Sequence, residues 1–135
     1  MIVIDASISL AWSHRDEATP PVLAVATRVG QEGAIVPAIW PTEIANGLEM
    51  ATRRQRITVP VRDELLANFK RIMVQVEPAW KNMNWNAVMW TAHMYGLTAY
   101  DAAYLELANR RDLPLASLDK ELVAAAQQAG VTTLP

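Results

Sequence analysis

The chain opens on residues 1–4, an uninterrupted apolar run, and the next residue is Asp5. Such a run, too short for a buried helix and without polar alternation, reads as a strand covered on both faces, as in a parallel sheet. Short apolar blocks return at 34–37 and 113–118, and more weakly at 72–76 and 131–134. Between them the apolar residues recur at helical period. Ile8, Ala11 and Trp12 follow Asp5; Val22, Val25, Ala26 and Val29 lie within 18–31, which Gly33 closes. Pro41 suits the first turn of a helix running to Arg54. Residues 61–71 turn Leu65, Leu66 and Phe69 inward, and 85–95 form a helix that Gly96 stops. Thr98 caps a helix to Arg111, and 119–129 precede Gly130. Strands alternating with helices predict an α/β sandwich with a mainly parallel sheet. The 135 residues suit one domain, 1–135.

Composition removes several classes. Hydrophobic residues at 52% against 19% charged are incompatible with a disordered chain. Twelve basic and 14 acidic residues, a net charge of −2, exclude a polycationic coat for nucleic acid but allow a local basic patch. The absence of cysteine excludes a disulfide scaffold, a thiolate zinc site and a cysteine nucleophile. Residues 1–10 carry no basic segment and meet Asp5 at once, unlike a signal peptide. No run approaches the ~18 apolar residues of a membrane span. The expectation is a soluble cytoplasmic protein that makes no use of a membrane.

Four carboxylates stand where an α/β sheet binds ligands, beyond the carboxyl ends of its strands. Asp5 ends the first strand and Asp119 follows the fourth; each alone reads as a helix N-cap. Ser7 and Ser117 could cap as well, so capping does not require both acids. Asp101 lies in the first turn of the helix opened by Thr98. A capping box would account for it, yet Tyr104, Leu105 and Ala108 at i+3, i+4 and i+7 put Asp101 on the inward stripe. Glu106, Asn109 and Arg110 are expected outward. Glu43 follows Pro41, with Asn46 at i+3 on the same side. An all-oxygen set of this kind suits Mg²⁺ or Mn²⁺ and, through it, phosphodiester hydrolysis.

Four segments carry a resemblance. They are Val3-Ile4-Asp5-Ala6-Ser7, then Pro41-Thr42-Glu43-Ile44-Ala45-Asn46-Gly47-Leu48. The third is Leu97-Thr98-Ala99-Tyr100-Asp101-Ala102-Ala103-Tyr104-Leu105-Glu106-Leu107-Ala108, and the fourth Leu115-Ala116-Ser117-Leu118-Asp119-Lys120-Glu121-Leu122. In this order and spacing the chain resembles the PIN-domain ribonucleases, specifically the VapC-like toxins of toxin–antitoxin pairs. The resemblance implies a PIN-like α/β/α fold and a Mg²⁺- or Mn²⁺-dependent endoribonuclease acting on structured RNA such as tRNA or rRNA. It implies that Asp5, Glu43, Asp101 and Asp119 are the catalytic, metal-holding quartet, with Ser7, Asn46 and Ser117 in support. It also implies a homodimer silenced by a VapB-like protein antitoxin.

Other features carry weaker readings. Arg53, Arg54 and Arg56 could touch RNA phosphates, or simply complement a helix C-terminus. Arg110 and Arg111 have the same two readings. His14 is expected at the surface and His93 in packing. Trp85, Met89, Trp90 and Met94 share a helical face expected to be buried or to form a dimer contact; the tryptophans, Trp80 included, are not part of the family pattern. A silent or housekeeping PIN-like binding module is opposed by the intact quartet. A receiver-like phospho-acceptor is opposed by a single acid at Asp5 and no base after Val131.

Overall fold

The structure is a computed structural model that describes residues 1–78 and 84–135; Trp80 lies outside these. In chain order the described elements are β1 (Ile2–Ile4), α1 (Ala6–Ala11), α2 (Pro20–Glu32), β2 (Ala34–Val36), α3 (Trp40–Arg53), α4 (Val59–Phe69) and β3 (Val74–Val76). They continue with α5 (Trp85–Tyr95), α6 (Ala99–Arg111), β4 (Leu115–Ala116), α7 (Lys120–Gln128) and β5 (Thr133–Leu134).

All pairings between these strands are parallel, and the order across the sheet is β3-β2-β1-β4-β5. From β1 the chain first moves outward through β2 to β3, then returns past β1 to β4 and β5. Right-handed crossovers therefore place α1–α4 on one face and α5–α7 on the other. Packing of α1 on α2 and α3, of α3 on α4, and of α5 and α7 on α6 agrees with that division. The α/β sandwich expected from the strand–helix alternation, in the three-layer α/β/α form that the resemblance implies, is thus realised.

β1 sits at the centre with all three residues at 0% exposure, which is why its sequence is purely apolar. Its partners set the register: Val3 lies opposite Ile35 on β2 and Leu115 on β4. The reversal of direction falls between β1 and β4. It creates a crevice outside their carboxyl ends, and the residues delivered there are Asp5 and Ser117–Asp119.

Several local expectations shift for identifiable reasons. β4 is shorter than 113–118 because the Leu113 amide closes the C-terminus of α6 on the Ala108 carbonyl, and Pro114 has no N–H to offer a ladder. α4 begins earlier than 61, with Thr58 as N-cap and Pro60 in its first turn. On α5 the buried residues are Val88 and Thr91, small enough to seat the helix closely on α6. Trp85, Met89, Trp90 and Met94 are consequently exposed rather than buried, and His93 is exposed too. His14 is half-buried rather than at the surface. Glu106 does not face outward: its side chain is 11% exposed and bonds Arg110.

Candidate active site

Asp5 follows β1 and is the N-cap of α1; its Oδ1 accepts the Ile8 amide at 3.0 Å. The Ser7 hydroxyl donates to it at 2.7 Å, and Ser117 donates to its Oδ2 at 2.6 Å. Ser7 also reaches across the crevice, and Ser117, which crosses it to Asp5, also holds its own turn. Ser7 Oγ accepts the Leu118 amide at 2.9 Å, and Ser117 Oγ accepts the Asp119 amide at 3.0 Å. The ends of β1 and β4 are therefore laced together by two hydroxyls centred on one carboxylate. Asp119 in turn caps α7, accepting the Glu121 and Leu122 amides at 2.8 and 3.0 Å. Both aspartates cap, and both stand at the same crevice, close enough for the charge of Asp119 to act on Asp5.

Asp5 is 5% exposed. Burial pushes its pKa up against the lowering effect of the Ile8, Ser117 and Ser7 hydrogen bonds, and the charge of Asp119 pushes the same way as burial. Glu43, in the first turn of α3, is half-buried. Burial raises its pKa, the hydrogen bond from Tyr104 opposes that, and the charges of Asp101 and Asp5 add to the rise. The four carboxylates are thus in mutual electrostatic reach: Asp119 with Asp5, and Glu43 with both Asp5 and Asp101. Among the described residues, no three acidic or histidine side chains are drawn close enough to make a ready-formed cation cage.

Asp101 is half-buried and forms the capping box. Thr98 Oγ1 accepts the Asp101 amide at 3.1 Å and donates to its Oδ2 at 2.7 Å. A pattern follows. Asp5, Asp101 and Glu43 are each held by neutral hydroxyls, from Ser7 and Ser117, from Thr98 and from Tyr104. Among the described residues no lysine or arginine forms a salt bridge with any of the four acids. Hydroxyl donors orient a carboxylate without cancelling its charge. The donor set is hard oxygen throughout, which fits a Mg²⁺- or Mn²⁺-type cation.

Asn46 is exposed and, with Ala6, Thr42, Glu43, Gly47 and Tyr100, lines an open groove beside Glu43. The arginine cluster lies elsewhere. Arg53, Arg54 and Arg56 follow Glu43 by a helix length, about 15 Å along the axis of α3. Arg53 pairs with Glu49 at 3.0 Å, and Arg56 with Glu17 at 3.1 Å. Arg110 and Arg111 are occupied by buried Glu77 beyond β3, at 2.7 and 3.0 Å. Burial would raise the Glu77 pKa, but these two guanidinium groups more than offset it and hold it low. The residue that sequence reasoning passed over is Tyr104, taken as part of an apolar stripe. Its signal was present: a buried phenol needs a partner for its hydroxyl, and Tyr104 stands one turn beyond Asp101.

The fold defines a class: a doubly wound PIN-like α/β/α domain, with carboxylates standing at its switch point. The comparisons agree. No family model matches the chain, but curated relatives align with it from end to end. VapC ribonuclease Mb0985 of Mycobacterium bovis and ribonuclease VapC9 of Mycobacterium tuberculosis are each 29% identical over 136 residues, covering 100% of this chain and 99% of theirs. Among solved structures, PAE2754 from Pyrobaculum aerophilum superposes with a TM-score of 0.74 at 23% identity, over 98% of this chain and 87% of that one. FitAcB from Neisseria gonorrhoeae gives 0.67 at 16% identity, over 100% and 97%. Along its whole length the chain is similar to the VapC ribonucleases.

Proposed function

We propose that the protein is a toxin endoribonuclease that hydrolyses phosphodiester bonds of structured RNA, tRNA or rRNA, with Mg²⁺ or Mn²⁺ held by Asp5, Glu43, Asp101 and Asp119. The observation that supports this reading is a set of four electrostatically coupled carboxylates, without basic partners among the described residues, at the switch point of a chain similar over its whole length to VapC ribonucleases. When bound, a divalent cation activates water and neutralises charge developing on a phosphodiester. The chain's own groups prepare for that. Ser7 and Ser117 fix the Asp5 carboxylate, Thr98 fixes Asp101, and burial keeps Asp5 and Glu43 poorly hydrated, so that ligation costs them little water.

A nuclease of this kind in the cytoplasm requires restraint, and a VapB-like protein antitoxin is the proposed partner. A basic side chain of that partner would satisfy the same acids. The exposed α5 face of Trp85, Met89, Trp90 and Met94 supports the homodimer expected of a VapC homologue. Among the described residues no helix is long and apolar enough to cross a membrane.

The test is cleavage of total tRNA and of rRNA by the purified protein, with Mg²⁺, with Mn²⁺ and with EDTA. Cleavage that needs the cation and stops on chelation is the expected result. Cleavage that survives thorough chelation refutes the metal role, and no cleavage of either RNA under any of the conditions refutes the nuclease.

A further inference from the structure

We propose that Tyr104 is the positioning residue for Glu43: its buried hydroxyl on α6 anchors one carboxylate oxygen of Glu43 on α3 and thereby aims the other at the cleft. The proposal deepens the reading of Glu43 as a cation ligand and rests on it.

Tyr104 is 1% exposed, and its hydroxyl donates to Glu43 Oε2 across 61 residues of sequence. It sits three residues after Asp101 on α6, so one face of that helix presents both an acid and a hydroxyl donor. α3 and α6 lie on opposite faces of the sheet, and no backbone hydrogen bond joins them at this point. The phenol is the link that sets where the Glu43 carboxylate stands relative to Asp101.

Glutamate has one more rotatable bond than aspartate and more freedom to lose on ligation. The aspartates at 5 and 101 already have hydroxyl anchors at 2.6–2.8 Å. Tyr104 completes that scheme for the longest of the three side chains. Groups that orient a metal ligand are worth about 10–100-fold in metal affinity.

The experiment is a double-mutant cycle of Tyr104→Phe and Glu43→Gln, read as Mn²⁺ binding to the RNA-free protein by calorimetry. Unfolding in EDTA is followed in parallel. Tyr104→Phe keeps the ring and removes only the oxygen. It should weaken Mn²⁺ binding about tenfold at unchanged stoichiometry; a purely structural defect would lower the stoichiometry and leave the affinity of the folded fraction intact. In the Glu43→Gln background, removing the hydroxyl should then change the affinity by less than about twofold. Equal weakening in both backgrounds, or a Tyr104→Phe affinity equal to that of the parent, overturns the role of Tyr104 while leaving the metal site standing. A parent protein that binds no Mn²⁺ overturns the metal reading itself, and Tyr104 falls with it.

Discussion

Replacing Asp5 by asparagine removes a charge while nearly preserving shape, and the structure sets the size of each effect. The aspartate accepts from the Ile8 amide, Ser7 and Ser117 at 3.0, 2.7 and 2.6 Å. Asparagine keeps Oδ1 for the Ile8 amide and the Ser7 hydroxyl, but its NH₂ replaces Oδ2 and faces the Ser117 hydroxyl, which must give up donating to it. At a net ~0.5–1.5 kcal/mol per hydrogen bond, that loss is about 1 kcal/mol. Against it stands relief of a negative charge that is 5% exposed and repelled by Asp119. The two effects oppose each other, so Asp5→Asn should leave metal-free stability within about 1 kcal/mol of the parent. The cation changes the comparison. At about 100 times its Kd, a ligand that binds only the folded state adds about 2.7 kcal/mol. With an unfolding entropy of roughly 2.1 cal/mol/K per residue, a chain of this size gains about 10 °C in Tm. The assay is thermal unfolding by circular dichroism in EDTA and in saturating Mn²⁺. The parent should show the full rise and Asp5→Asn almost none. An equal rise in both proteins would show that Asp5 is no ligand. A metal-free loss above about 3 kcal/mol would show that the carboxylate serves the fold, as cap and as lacing point.

Three further outcomes are expected. Because burial raises the pKa of both Asp5 and Glu43, the metal-free folded state holds protons that the unfolded chain releases; their stabilisation is complete below the ordinary carboxylate range and lost as pH rises through the raised values. The Asp5→Asn/Glu43→Gln double variant should therefore gain on the parent between pH 4 and pH 7 in urea unfolding, and a gap that shrinks with pH contradicts the assignment. Asp101→Asn should abolish RNA cleavage at unchanged Tm, whereas Thr98→Ala should cost about 1 kcal/mol through the lost cap; normal cleavage by Asp101→Asn would leave that residue a cap only. Glu77→Gln, which weakens the anchor of Arg110 and Arg111, should lose about 1–3 kcal/mol in urea unfolding while Mn²⁺ affinity stays put, and a fall in affinity would tie that network to the site.

The sequence was most informative where one residue type admits a single physical use. An apolar run ended by aspartate, found at both β1 and β4, required two buried strand ends to meet polar partners, and they meet each other through Ser7 and Ser117. Where side chains have two characters, periodicity misleads. Tyr104 counts as apolar in any helical stripe, so its hydroxyl, which donates to the Glu43 carboxylate, went unread. Trp85, Met89, Trp90 and Met94 are the most apolar face of α5, yet the helix rolls so that compact Val88 and Thr91 can approach α6. Long-range charge pairing left no local trace either: Glu77 and Arg110 lie 33 residues apart, and nothing near either one announces the other.

The hydrogen bond from Ser117 to Asp5 closes a loop of 112 residues. That span gives the site a birth order. As the chain leaves the ribosome, Asp5 emerges long before its anchor Ser117 and its neighbour Asp119, which come only after six of the seven described helices have been made. β1 acquires its second partner strand only when β4 is made. Contacts this distant in sequence form late and slowly, so the crevice has no counterpart in any shorter nascent chain. The same topology that brings the carboxylates to one crevice thus withholds it until β4 has been made, and leaves fragments that stop short of β4 with one half of a site.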